Sequence, residues 1–254
     1  MIFLPFNQLV QLFVFLIQYY AFCHRNFGKI FMKVLIMEVF LIYIVDAKER
    51  WVNMFIATFV AGTLIYLVIK DSSLLSSINS FSQGVISHLP FNHPWLNHTI
   101  TFILAHLLLN LYAVLLWFIL WGFKHKLIAL WALVTYFGIS LLGLLINQLL
   151  LIVTDDTTAP IDLTFLKLVV LMACIYICVL PNTSRFVGYL TIILLLILFS
   201  LRTLAGIQLH TVALINVGIS ILCGYVGIQL FEYIYLHWFS KLQLIRAFRH
   251  SDFN

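Results

Sequence analysis

The stretch LRTLAGIQLHTV, residues 201–212, contains side chains whose types are suited to chemistry. It places Arg202, Gly206, Gln208 and His210 in a short polar interruption between two apolar runs. An arginine binds anions through a fixed fork of N–H donors, and a histidine transfers protons or attacks electrophiles. The pattern raises the question whether this stretch is an active site or the remains of one.

The composition determines what surrounds that stretch. The chain has 254 residues, of which 63% are hydrophobic and 9% are charged, whereas a soluble domain carries about 25% charged residues. A soluble core has no room for that much apolar surface, so the composition predicts an all-α, multi-pass bundle of transmembrane helices. The net charge of +5 is not clustered on one face, which argues against a nucleic acid as partner.

Six apolar runs have or approach the length of about 20 residues that a crossing needs. The predicted spans are residues 52–69, 101–122, 127–153, 164–180, 186–201 and 211–238. The fifth is short unless it continues into the polar stretch. Residues 2–22 are long enough to span but contain Asn and Gln, while 34–45 is short, contains Glu38 and predicts an interfacial or re-entrant helix.

The basic residues predict an orientation. If the 52–69 run leads outward, all but Lys70, Lys167 and Arg202 of the 14 Lys and Arg residues lie on the cytoplasmic side, as the positive-inside rule requires. The chain then divides into an N-terminal extension (1–50), a transmembrane domain (51–240) and a cytoplasmic tail (241–254), in the inner membrane if the cell is bacterial. The loop TDDTTAPID and the stretch 202–210 both face outward and are expected to form one outer site.

The order of helices and polar loops resembles that of the type 2 phosphatidic acid phosphatases, the PAP2 superfamily of lipid phosphate phosphatases. That family has six transmembrane helices and three motifs at the outer ends of the last four: K-x6-R-P, P-S-G-H and S-R-x5-H-x3-D. Here RTLAGIQ keeps the spacing of the third motif, with Arg202 and Gly206 in place. The resemblance covers residues 52–238 and implies a PAP2-like six-helix core behind an extra N-terminal hydrophobic segment.

The same resemblance implies that the catalytic groups have been replaced. In the family a His attacks phosphorus and an Asp orients it, and these positions hold Gln208 and Val212 here. A Gln side chain is no nucleophile, and losing one member of such a unit costs orders of magnitude in rate. In motif order, the degenerate positions are Asn147, Thr154, Asp155, Pro160, Leu163, Arg202, Gln208 and Val212. The resemblance therefore implies an inactive relative, without a cofactor, that binds a membrane lipid or a partner membrane protein.

An active but diverged phosphatase, acting on phosphatidic acid or a polyprenyl diphosphate, is the main alternative. It needs a substitute nucleophile, and His210 is the nearest. Two residues along a helix correspond to a rotation of about 200 degrees, so His210 is expected to point away from a site that position 208 faces. Carboxylates near Arg202 also disfavour a dianionic headgroup.

The outer polar residues allow a further alternative, a divalent cation site built from carboxylate oxygens. Acidic outer loops are usually only solvated, so no metal site is predicted. The residues in question are Asp155, Asp156, Asp162, Arg202 and His210. The histidines His88, His93 and His98 are interrupted by prolines and share no helical face, which argues against a zinc site.

A transporter or channel component is a third class. It predicts that His106, Asn147 and Asn216 line one continuous cavity. The competing interpretation is that intramembrane amides, including Asn110 and Gln229, form hydrogen bonds between helices. The four cysteines lie in or beside apolar runs and are expected to serve packing.

Overall fold

The computed structural model of the protein describes residues 47–70, 73–87, 94–123, 125–154, 159–179 and 185–242. The predictions for residues 2–22 and 34–45, and for nearly all of the 241–254 tail, lie outside these ranges. Within them all regular secondary structure is α-helical, which confirms the predicted all-α class, while the PAP2-like six-helix core stays a prediction. The helices are α1 (Ala47–Ile69), α2 (Ser73–Ser87), α3 (Pro94–Ile103), α4 (His106–Gly122), α5 (Lys126–Thr154), α6 (Leu163–Val179), α7 (Arg185–Gln208) and α8 (Leu214–Leu242).

Four of these helices are long and apolar enough to cross a membrane, as a multi-pass membrane protein requires. The four candidate spans are Arg50–Ile69, Lys126–Ile152, Phe186–Gln208 and Leu214–Tyr235. A fifth is formed if α3 and α4 count as one span, and α6 is an apolar helix of 17 residues. The predicted run 186–201 continues into the polar stretch, since α7 extends to Gln208.

The predicted span 101–122 is not one straight helix. It is broken between Ile103 and His106, and α3 and α4 meet there at 45°. Ala105 has an extended conformation, with φ −71° and ψ 156°. The Tyr112 hydroxyl donates a hydrogen bond to the Ile103 carbonyl at 3.2 Å, which satisfies one backbone group that the break leaves without a helical partner. A polar side chain in α4 thus compensates for part of the interruption.

The helix α6 lies at the centre of the described bundle and contacts α4, α5 and α8. Its side chains at Phe165 and Val170 are completely buried. By contrast α1, which packs mainly on α8, leaves most of its large apolar side chains exposed, as a helix at the lipid boundary does. The exposed set in α1 is Trp51, Val52, Phe55, Ile56, Phe59, Val60 and Tyr66.

The start of α6, the end of α7 and the start of α8 lie at one end of the bundle, which we call the Asp162 end. The backbone N–H of Asp162 donates to the Ser220 hydroxyl of α8 at 3.0 Å, and that hydroxyl lies 3.1 Å from the Asp162 carbonyl. The rings of Phe165 in α6 and Phe199 in α7 meet edge to face, 5.7 Å apart. Both predicted outer stretches therefore approach the same end, although their orientation to a membrane stays a prediction.

Candidate functional site

Gln208, at the position that the resemblance assigns to the nucleophile, is used for helix packing. Its Oε1 accepts a hydrogen bond from Asn97 Nδ2 of α3 at 2.7 Å, and its Nε2 donates to the Ile86 carbonyl of α2 at 3.3 Å. An amide offers both a donor and an acceptor, so this one side chain connects the end of α7 to two other helices. Asn97 itself is buried.

Val212, at the position of the orienting acid, lies in an apolar cluster with Phe165 and Val217. The backbone N–H of Val212 donates to the Gly206 carbonyl at 3.3 Å, which folds the chain back over the end of α7. A Cβ added at Gly206 would lie 2.9 Å from Val212 Cγ2 and 3.1 Å from Arg202 Nη1. The glycine of the motif is therefore needed for close packing, whether or not any chemistry takes place.

His210 lies outside the helices, so the argument from helical rotation does not apply to it. The helix α7 ends at Gln208, and His210 follows in a turn with a φ of 53°. Its side chain is exposed. A positive φ is uncommon for a residue other than glycine, although histidine tolerates it better than most residues do. The expectation that His210 points away from a site faced by position 208 rested on a continuing helix, and that premise is wrong.

Asn147 and Asp162 organise the segment before α6. Asn147 Nδ2 donates to the Ile161 carbonyl at 2.8 Å, and the Ile161 N–H donates to Asn147 Oδ1 at 3.2 Å. Asp162 Oδ1 accepts from the backbone N–H groups of Thr164 and Phe165 at 2.8 and 3.2 Å. Asp162 is thus a helix N-cap, a structural role that suits a carboxylate.

The remaining degenerate positions lie around that segment. Pro160 is buried and Leu163 is the first residue of α6. Thr154 ends α5, but its side chain lies outside the described part, as do Asp155 and Asp156. The described positions form two groups of contacts. Asn147 bonds to the segment before α6, and Gln208 bonds to α2 and α3. Arg202 lies within electrostatic range of Asp162.

Arg202 is a buried cation with unused donors. Its side chain is 5% exposed, and its Cζ stacks over the Phe165 ring at 5.3 Å from the centroid. Within the described part of the chain, Arg202 Nε and Nη1 are buried and have no hydrogen-bond partner. Burying an unsatisfied charged donor is costly, so an anionic ligand at this side chain would offset that cost.

Lys167 and Asn110 form a second set of polar groups, between α6 and α4. Lys167 Nζ of α6 donates to Asn110 Oδ1 of α4 at 3.0 Å, and the Tyr136 hydroxyl of α5 donates to the same oxygen at 3.1 Å. One amide oxygen therefore holds three helices together. Lys167 was not foreseen as a site residue, although a charge inside an apolar run is itself a signal of function.

His106 completes this group. It is exposed, and it lies within electrostatic range of Lys167, Asp162 and Arg202. Its spacing of four residues from Asn110 places both on one face of α4, which the sequence indicated. We define the polar cluster as His106, Asn110, Tyr136, Asp162, Lys167 and Arg202.

His106, Asn147 and Asn216, which the transporter hypothesis places around one cavity, make separate contacts instead. Asn147 bonds Ile161, Asn216 Nδ2 donates to the Ala159 carbonyl at 3.3 Å, and His106 belongs to the polar cluster. None of them lines the cavity of about 260 Å³ between α1, α5 and α8, whose walls are almost entirely apolar. Asn147 and Asn216 therefore act as structural amides.

Metal ligands do not gather in the described ranges. No group of three or more His, Cys, Asp or Glu side chains is close enough there to hold an ion. His98 is exposed on α3, whereas His88 and His93 lie outside these ranges. Cys174 and Cys178 are buried in α6, and Cys223 is half-buried in α8.

Comparisons with protein-family models, with curated proteins and with solved structures gave no match for this chain. The resemblance to the PAP2 superfamily therefore stays a prediction from the motif spacing. What the described part of the chain provides is a helical bundle with a buried arginine, Arg202, whose Nε and Nη1 have no hydrogen-bond partner there.

Proposed function

We propose that the protein is a non-catalytic relative of the lipid phosphate phosphatases that binds a membrane lipid at the Asp162 end of its bundle. The observation that carries the proposal is the buried Arg202 guanidinium, whose Nε and Nη1 have no hydrogen-bond partner among the described residues. The resemblance assigns Arg202 to a motif position that contacts phosphate in that family. A lipid headgroup is the ligand that a membrane bundle meets at such a depth. A partner membrane protein remains the alternative ligand.

The absence of catalysis is supported by the contacts of two side chains. Gln208 uses its oxygen and its nitrogen for contacts with α3 and α2, and Val212 lies in an apolar cluster. Neither group is able to attack phosphorus or to orient a base. Leu163 and Asn147, which stand where the family has an acid and a lysine, supply neither function.

The test is a phosphate-release assay on purified full-length protein with phosphatidic acid and with a polyprenyl diphosphate. We expect no release above that of a heat-inactivated sample, while a lipid phosphate phosphatase in the same micelles shows that the assay works. Turnover that is lost in Arg202→Ala and in His210→Ala would establish the active, diverged phosphatase instead.

A second variant examines the replaced motif directly. We expect Gln208→His/Val212→Asp to remain inactive, because the first and second motifs still lack their lysine and histidine.

Retention of bound lipid by the purified protein supplies the positive readout. Native mass spectrometry of wild-type protein should show bound lipid that Arg202→Met loses, whereas Lys70→Met, which removes an exposed cation outside the polar cluster, should retain it.

A further inference from the structure

The helix α2 has three distinct faces and no charged residue. The face with Leu75 and Ser82, each 8% exposed, is turned to the bundle, where α2 contacts α7 and α8. About 100 degrees around the helix from it, large apolar side chains recur at helical spacing. We call this second face the apolar stripe, and its members are Leu74, Ile78, Phe81 and Val85. The third face carries mainly serines.

The apolar stripe points away from the bundle. Its four side chains are 70%, 47%, 74% and 51% exposed, in chain order. A surface helix of a soluble protein turns its apolar stripe toward the core instead. Leaving a row of large apolar side chains in water is unfavourable, and exposed rows of this kind mark interaction surfaces. The arrangement therefore requires an apolar partner outside the bundle.

The first end of α2 lies at the Asp162 end of the bundle. The helix α1 begins with Arg50 beside Glu232 of α8, far from that end, and packs along α8. The stretch from Arg50 to Ile69 in α1 and the stretch from Leu214 to Glu232 in α8 both measure about 28 Å. The end of α1 at Ile69 is therefore level with the start of α8 at Leu214, and α2 begins at Ser73, directly after it.

The second end of α2 lies at the same level. The Ile86 carbonyl accepts a hydrogen bond from Gln208, the last residue of α7. Two exposed aromatic side chains flank α2 there, Tyr66 near the end of α1 and Trp95 at the start of α3. Tyrosine and tryptophan are enriched at the headgroup level of a membrane. With α1, α7 and α8 as spans, α2 lies along the boundary between hydrocarbon and water.

The serine face of α2 suits that boundary, because its hydroxyls are bonded within the helix. Ser76 and Ser77 donate to the Ser73 carbonyl at 2.9 and 2.7 Å, and Ser80 donates to the Ser77 carbonyl at 3.0 Å. Such hydroxyls do not depend on water for an acceptor. The face has no Lys or Arg to attract anionic lipids, so a contact with a membrane depends on the apolar side chains alone.

We propose that α2 lies in the plane of the lipid–water interface and inserts the apolar stripe between the lipids of one leaflet. The partner of this surface is a loosely packed bilayer, recognised without regard to its charge. Lipid is the partner that the position favours, since the exposed apolar face of α1 leads directly into α2. Insertion of an uncharged helix needs gaps between headgroups, which makes it sensitive to lipid packing. The proposal goes beyond headgroup binding at Arg202 and does not depend on it.

The experiment compares two cysteine variants of the full-length protein in liposomes of dioleoylphosphatidylcholine. Phe81→Cys lies in the apolar stripe, and its matched control Ser80→Cys lies on the serine face, and both positions are exposed in the structure. A water-soluble maleimide labels each thiol, and mass spectrometry of the α2 peptide separates it from the native cysteines. We expect Phe81→Cys to react about tenfold or more slowly than its control, the ratio that burial of one large apolar side chain supports.

Two further membranes test what covers the stripe. Cholesterol with palmitoyl-oleoyl-phosphatidylcholine packs tightly and should reduce the protection severalfold. Addition of dioleoylphosphatidylglycerol to the first liposomes should change it by less than about twofold, as for an exposed charge. Ile78→Cys with its control Ser77→Cys repeats the comparison one turn away, in case either first variant does not fold, and gel filtration monitors each protein.

Three results would overturn the proposal. Equal labelling of stripe and serine-face cysteines in every membrane would show that water covers the stripe. Protection that is the same in loosely and tightly packed membranes, or that rises with the ratio of protein to lipid, would show that another protein surface or a second copy covers it. Protection that appears only with phosphatidylglycerol would show that charge attracts the helix.

Discussion

Two buried arginines of this bundle have opposite surroundings. Arg50, in the first turn of α1, lies 3.5 Å from Glu232 Oε1 of α8, and the two side chains are 9% and 7% exposed. Arg202 has an aromatic ring and a glycine as neighbours and no carboxylate at ion-pair distance among the described residues. Glu232 lies 12 residues beyond Ser220 on α8, about 18 Å from the Asp162 end.

The comparison distinguishes a structural charge from a binding charge. An arginine that pairs with a carboxylate of the same chain joins two helices, and that pair compensates the cost of burying its charge. An arginine whose donors remain unused is a cost to the fold that only an outside partner offsets. The four predictions below test that distinction in lipid-free protein in detergent, from the largest expected effect to the smallest.

Glu232→Ala should lower the free energy of unfolding by about 3 to 5 kcal/mol, because it removes the carboxylate of a buried ion pair and leaves the Arg50 charge in the interface. Thermal unfolding followed by circular dichroism measures the effect. The double variant Arg50→Met/Glu232→Leu should recover most of the loss, since no charge then remains in the interface. A Glu232→Ala protein as stable as the wild type would show that the pair does not hold α1 to α8.

Asn147→Ala should lower the unfolding free energy by about 1 to 3 kcal/mol, because two hydrogen bonds to Ile161 are lost and its buried backbone groups are left unpaired. The matched control is Asn216→Ala, which removes one longer bond to Ala159 and should cost less. Equal losses would mean that the Asp162 end does not depend on the Asn147 amide.

Gly206→Ala should cost about 1 to 3 kcal/mol through overpacking, because the new methyl group meets Val212 and Arg202. Gly218→Ala is the control, since a Cβ there has no other heavy atom within 4 Å. That control should be neutral or slightly stabilising, because alanine favours the helix. A Gly206→Ala protein that matches its control would show that Arg202 is not held as described.

Arg202→Met should leave stability unchanged or raise it by about 1 kcal/mol, because the variant removes a buried donor set without a partner. Arg50→Met should instead destabilise, since it leaves Glu232 unpaired. The two variants are compared in one unfolding experiment. If Arg202→Met loses as much stability as Arg50→Met, then Arg202 has a structural partner and the distinction between the two arginines fails.

Much of the architecture followed from composition and run length. The chain has too few charged residues to cover a soluble surface, which predicted a helical membrane bundle. The apolar runs indicated where the helices lie. The run 186–201 was predicted to be short unless it continued into the polar stretch, and α7 does continue, to Gln208. The break at Ala105 was not predicted, because no proline or glycine marks it. Its compensating hydrogen bond comes from Tyr112, nine residues from the Ile103 carbonyl that accepts it.

The candidate site was predicted only in part. Arg202 was identified by motif spacing, whereas Lys167 was counted only for its effect on orientation. Its role depends on Asn110, which lies 57 residues earlier in the chain. The exposed place of His210 in a turn could not be predicted from the sequence, because it depends on where α7 ends.

The amino-acid sequence by itself determined that this protein is an all-α chain with several helices apolar enough to cross a membrane, since that depends on residue type and run length. Only the tertiary structure decided that Gln208 is a packing amide and that Asp162 is a helix cap. It also decided that Arg50 pairs with Glu232, whereas Arg202 has no carboxylate at ion-pair distance among the described residues. The physical reason is that hydrogen bonds and ion pairs between helices depend on which faces meet, and helical periodicity leaves that pairing open.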